Sequence, residues 1–179
     1  MTEESLSVTD ISVLGRPNSY IGRSVPRPNA RRLLSGQGQF VDDLKLPRML
    51  HVAFVRSPYA NARITNIDIS EAASSSGVVR VVDGKELQDF CSPWVGVLTH
   101  FKGLKSPPQH AIAVERVCWQ GEAVAAVIAE SRAEAEDAVA LVDVAYEEFP
   151  AVVDPETAID PSSHVIHPEI GDNIAFKNA

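Results

Sequence analysis

Seven consecutive apolar residues, Ala123 to Ala129, constrain this chain more than any other stretch. The run has strand length and no polar alternation, so both faces of the strand must be covered. Such a strand needs neighbours in a sheet and a further layer to pack on. The next dozen residues supply a candidate for that layer. Ser131 and Glu134 have capping-box spacing, in which the two side chains satisfy amides at a helix start. Ala135, Ala138, Val139 and Val142 then recur at i, i+3, i+4 and i+7, the buried stripe of an amphipathic helix. A second strand is predicted over 142–146, with Val142, Val144 and Tyr146 on one side and Asp143 on the other. Val142 belongs to both patterns, so that boundary is set only to a residue or two.

The rest of the chain extends this interleaving. Residues 29–34 suit a short helical turn that meets Gly36 and Gly38. Residues 49–56 are rich in Val, Phe and Leu and read as a strand ended by Pro58. The next strand, 64–69, has apolar residues at 64, 67 and 69; that slip in alternation predicts a bulge or turn near Asn66. Ser70 is read as the N-cap of a short helix, with Gly77 at its left-handed exit. A β-branched strand spans 78–82, and Asp83 with Glu86 starts a helix through Phe90. Residues 91–111 read as a long loop, in which Trp94, Val95, Val97, Leu98 and Phe101 need something to pack on. Trp94 is expected on this domain's own core, with part of the segment docking elsewhere. Asp154-Pro155 caps and opens a last helical turn to about Ile159. The fold class is therefore α/β or α+β, a mixed sheet with interleaved short helices. Prolines and glycines make residues 1–19 a flexible arm, and the polar stretch 161–179 reads as a linker toward something larger.

Charge and cysteine content exclude several functions. The net charge of -8, from 24 acidic and 16 basic residues, opposes a phosphate backbone. Two isolated cysteines, Cys91 and Cys118, leave no C-x-x-C for an iron–sulfur cluster and no disulfide framework. The acidic, polar N-terminus lacks a secretory pattern, and the apolar run is far short of a membrane span. A cytoplasmic, soluble protein is the expectation.

No constellation specifies a reaction. The stretch 35–40, Ser-Gly-Gln-Gly-Gln-Phe, lacks the preceding strand, third glycine and following helix of a dinucleotide cradle, so a turn outweighs a nucleotide site. His164 and His167 are too few for a tetrahedral zinc site, and a solvated tail outweighs a metal. The pairs Asp42-Asp43 and Glu147-Glu148 point to opposite sides of an extended backbone, as solvated edges do. Arg23, Arg27, Arg31 and Arg32 form the only basic concentration, either a dock for an acidic partner or ordinary solvated arginines. Arg56 is expected to brace a strand end through a buried ion pair. Cys118 looks like a small core residue. His100 and His110 lie between the two cysteines, but no histidine adjacent to either argues for activation. Catalytic, cofactor-binding and metal residues are all expected to be none.

Four blocks, in order from about residue 16 to 160, resemble the α/β-hammerhead domain of the aldehyde oxidase, xanthine dehydrogenase and carbon monoxide dehydrogenase large (molybdenum) subunits. They are Tyr20-Ile-Gly-Arg-Ser-Val-Pro-Arg with 29–43; Val55-Arg-Ser-Pro-Tyr-Ala-Asn-Ala-Arg-Ile64 with 67–70; Gly77-Val-Val with Asp83-Gly; and 121–127 with Ala135-Glu-Asp-Ala138 and 144–150. Asn61 stands where the family commonly has His. The resemblance implies a hammerhead over 20–160 that leads into molybdopterin-binding domains not in this chain. It also implies iron–sulfur clusters and FAD on partner subunits, as in the multi-subunit enzymes. The whole would be an oxidoreductase acting on an aldehyde, an N-heterocycle or carbon monoxide; the isolated chain would not be an enzyme. A stand-alone assembly module and a small-ligand-binding domain remain as alternatives.

Overall fold

A computed structural model describes residues 20, 25, 27–98 and 101–177. The chain divides into two compact units, Met1–Leu46 and Pro47–Ala179. The arm assigned to 1–19, Arg23 and His100 lie outside the described residues. Among those described, no helix is long and apolar enough to cross a membrane.

The first unit holds helix α1 (Ala30–Leu34) and a 3-10 turn (Val41–Asp43). Gly36 ends α1 with a φ of 73°, and the amide of Gln37 bonds the carbonyl of Arg32 at 3.0 Å. A left-handed residue there returns the chain onto the last helical turn, which favours glycine.

The second unit contains strands β1 (His51–Arg56), β2 (Ala62–Asp68), β3 (Val78–Asp83), β4 (Arg116–Val117), β5 (Ala123–Ala129) and β6 (Asp143–Glu148). They form two three-stranded sheets, β1-β5-β3 and β4-β2-β6. The expected class of strands interleaved with short helices stands. In place of one mixed sheet there are two, and every described pair in them is antiparallel. The apolar run is β5, the central strand of its sheet and buried along most of its length. Its neighbours satisfy both of its backbone edges, and its side chains from Val124 to Val127 are buried.

Helices α2 (Ser70–Ser74) and α4 (Arg132–Val139) cover one face of that sheet. Ala72 and Ala138 pack with Val81 and Val127, where small side chains let helix and strand approach closely. Val139 and Val142 reach both this cluster and a second one built on Val55, Ala62, Val117 and Val124. The two sheets thereby share a core. The slip read at Asn66 is a register shift between Ile64 and Asn66 in the β2–β6 ladder.

Three capping expectations hold and one changes. Asp83 accepts from the Glu86 amide at 2.8 Å to open α3 (Gly84–Leu87), and Ser131 accepts from the Glu134 amide at 3.3 Å to open α4. Asp154 likewise caps α5 (Pro155–Ala158). Ser70, however, is the first residue of α2 rather than its cap. Asp68 accepts its amide at 2.9 Å, because a carboxylate two residues upstream reaches that donor first. Strand β4, two residues long, is too short to leave a pattern in the sequence.

Candidate functional site

Residues 57–61, Ser-Pro-Tyr-Ala-Asn, carry the chain from the first sheet to the second, held at both ends by a buried polar side chain. The Ser57 amide donates to Glu122 O at 2.9 Å, and the Gly121 amide donates to Ser57 O at 2.9 Å. The Ser57 hydroxyl donates to Tyr59 O at 3.0 Å and accepts the Tyr59 amide at 3.1 Å. Asn61, essentially fully buried, donates from Nδ2 to Pro150 O at 3.1 Å while its Oδ1 has no partner. This corner explains the second sequence block: it is a crossover stitched to the turn before β5 and to the exit of β6.

Beside it opens a cleft of about 600 Å³ whose walls include Arg63, His110, Glu115, Cys118, Trp119, Glu122, His167 and Glu169. Strand β4 brings Arg116 and Cys118 to one wall. The segment after α5 folds back as the other. Arg116 Nη1 donates to Ile166 O at 3.1 Å and its guanidinium lies 5.2 Å from the Phe149 ring centroid. Asn173 ties the segment together, accepting the Ile166 amide at 3.0 Å and donating to Ala158 O at 3.1 Å and His164 O at 2.8 Å. Lys105 pairs with Asp172 at 2.7 Å, and Phe101 meets Phe176 edge-on with centroids 4.7 Å apart.

The fold-back places Cys118 Sγ 3.8 Å from His167 Nδ1, and that same nitrogen lies 3.3 Å from Glu169 Oε1. Three residues of a nucleophilic triad are thus adjacent, but the arrangement does not relay a proton. A triad needs the acid and the thiol on opposite nitrogens of the ring; here both face Nδ1. Burial pushes the Cys118 thiol up to about 11, with the nearby Glu122 carboxylate adding to the rise and Arg116 opposing it. A thiol so placed stays protonated at neutral pH and is a poor nucleophile. Glu122 is itself raised by burial, an effect opposed by the amides of Cys118 and Trp119; the Cys118 amide donates to its Oε2 at 2.6 Å.

The other candidates are scattered. Cys91 is exposed. The 35–40 stretch is a turn after α1, with no strand before it among the described residues. Arg27, Arg31 and Arg32 are exposed, and Arg32 Nε donates to Gln37 O at 3.0 Å. Asp43 accepts the Phe40 amide at 2.9 Å. Glu147 pairs with Arg63, and Glu147 and Glu148 both lie on the exposed edge strand β6. Arg56 is exposed rather than in a buried ion pair. It braces the strand end by donating from Nη1 to Gly121 O at 2.8 Å and lying over Phe54, since a carbonyl at the sheet rim satisfies a guanidinium without burying its charge. His164 and His167 are half-buried rather than solvated, with His164 stacked on Phe149. Trp94 is exposed and bridges Gln109 instead of entering the core. Among the described residues no three His, Cys, Asp or Glu side chains converge in a way that would hold a metal.

Residues 35–150 match the family model described as "Aldehyde oxidase and xanthine dehydrogenase, a/b hammerhead domain". The nicotine 6-hydroxylase large subunit of Paenarthrobacter nicotinovorans is 36% identical over 161 residues, which is 89% of this chain and 19% of that protein. Among solved structures, quinoline 2-oxidoreductase from Pseudomonas putida 86 superposes with a TM-score of 0.79 at 38% identity, over 86% of this chain and 19% of that one. The Cu,Mo-CO dehydrogenase superposes with a TM-score of 0.71 at 35% identity, over 88% of this chain and 19% of that one. The chain thus spans about a fifth of the length of each of these three relatives.

Proposed function

Since the chain belongs to the hammerhead-domain family of aldehyde oxidases and xanthine dehydrogenases, we propose that it serves as the N-terminal scaffold domain of the large subunit of a multi-subunit molybdenum hydroxylase. The observation that carries this reading is the proportion of the match: nearly all of this chain corresponds to a minor part of each relative. The redox chemistry then belongs to the remainder of the assembly. A molybdopterin cofactor would lie in the rest of the subunit, with iron–sulfur clusters and FAD on partner subunits. The substrate class would be an aldehyde, an N-heterocycle or carbon monoxide, oxidised in the cytoplasm. The Cys118 thiol, pushed up to about 11 by burial and facing the same His167 nitrogen as Glu169, is not set up as a nucleophile.

The test is a segment exchange. The matching part of the Cu,Mo-CO dehydrogenase chain is replaced by this chain, and assembly and molybdenum content are measured. A chimera that assembles with molybdenum at the parent level is expected. A chimera that stays unassembled, while this chain by itself is folded, would refute the scaffold role.

A further inference from the structure

The two sheets treat their outer faces differently. In β4-β2-β6 the outward positions are polar and mutually satisfied: Arg63 pairs with Glu147, and the Thr65 hydroxyl donates to Ala145 O at 2.9 Å. This is the usual state of an antiparallel sheet with one face in water. In β1-β5-β3 the helices α2 and α4 cover the face that carries Val81 and Val127. On the opposite face, register aligns Phe54, Ala126 and Val82 in one row and Val52, Ile128 and Arg80 in the next. Five of these six are apolar, and the sixth, Arg80, pairs with Glu86. Val52 is 52% exposed and Phe54 43%. Val82 and Ile128 in those rows are half-buried, and Ala126, between Phe54 and Val82, is buried; exposed large apolar side chains grouped on one sheet face mark an interaction site. At its edge Phe54 and Trp119 share a depression of about 260 Å³ with Arg56, His110 and Glu122.

We propose that this uncovered face of the β1-β5-β3 sheet seats the remainder of the large subunit through an apolar contact centred on Val52 and Phe54. This rests on the scaffold role and adds the face that performs it. The occupant follows from proportion: in the nicotine 6-hydroxylase large subunit and in both solved structures, the matched segment is 19% of the chain. The larger body outside that segment is what a domain of this kind is joined to. Its contacting surface must be aliphatic or aromatic, because a polar one would lose its hydration against Val52, Phe54 and Ile128 without gaining partners.

The test uses the exchange chimera with Val52→Glu or Phe54→Glu, and Val153→Glu as a control at an exposed apolar residue outside both sheets. Circular dichroism and denaturation of the 179-residue chain carrying each substitution establish that the fold survives. Either sheet-face substitution should raise the rate at which limited proteolysis separates the domain by about tenfold or more, with the control unchanged. Equal resistance of all variants in an assembled chimera would overturn the face and leave the scaffold role standing. Failure of the unsubstituted chimera to assemble would overturn both. A dimer of the isolated chain that Phe54→Glu splits would assign the face to a second copy and overturn the proposed occupant.

Discussion

Cys118 and Glu122 share one environment, and the Glu122 carboxylate adds to the rise of the thiol. The thiol value of about 11 lies above the ordinary 9.0, chiefly through burial. Its preference for the protonated form is fully present below 9.0 and is lost as pH rises through about 11. Stability should therefore fall across that window more steeply in the native protein than in Cys118→Ala, measured by urea denaturation. Glu122→Gln keeps an acceptor for the Cys118 amide but removes the charge that helps raise the thiol. The pH at which Cys118 becomes alkylated should move down in that variant, read by mass spectrometry in a Cys91→Ser background; an unmoved profile would mean that burial acts alone. Gly84 is a steric case. It is buried, and a Cβ there would collide with the backbone carbonyl of Ala113. Gly84→Ala should cost about 1–3 kcal/mol, because backbone must shift to accept it, visible as a lower denaturation midpoint. Asp83 as a cap was readable three residues from Glu86. The Ala113 contact was not, since nothing local marks which glycine meets a distant carbonyl.

At the scale of elements, helix α4 and the segment after α5 make opposite cases. The start of α4 is local: Ser131 accepts the Glu134 amide, and its hydroxyl also reaches Glu134 Oε2 at 2.7 Å. Ser131→Ala should cost roughly 0.5–2 kcal/mol; an unchanged midpoint would place the helix start elsewhere. Residues 160–177 have no periodicity, and their polar composition reads as a linker. Their order comes from contacts with residues far back in the sequence, such as Arg116 and Cys118 to 166–167 and Lys105 to Asp172. Asn173 holds two of the bonds within the segment and ties it to Ala158 in α5. Asn173→Ala should speed hydrogen exchange over 160–177 and leave β5 unaffected. Acceleration in β5 as well would show that the segment is part of the cooperative core rather than a strap laid on it.

Across the whole molecule, the 179-residue chain purified alone should retain no stoichiometric molybdenum, iron or flavin after dialysis. Metal analysis and an absorption spectrum check this, and a retained stoichiometric group would show that the described residues miss a site. The class of fold, the buried central strand, the helix that covers it and the β2 bulge were determined by the sequence alone. Each rests on periodicity or on side chains a few residues apart, and such interactions are written into neighbouring positions. Tertiary structure alone decided that six strands divide into two antiparallel sheets, since an apolar strand carries no mark of its partner's direction. It alone also brought Cys118, His167 and Glu169 around one cleft, set both carboxylate and thiol on the same imidazole nitrogen, and left Val52 and Phe54 partly exposed. Those outcomes depend on where the chain returns in space, and long-range packing, not local pattern, fixes that return.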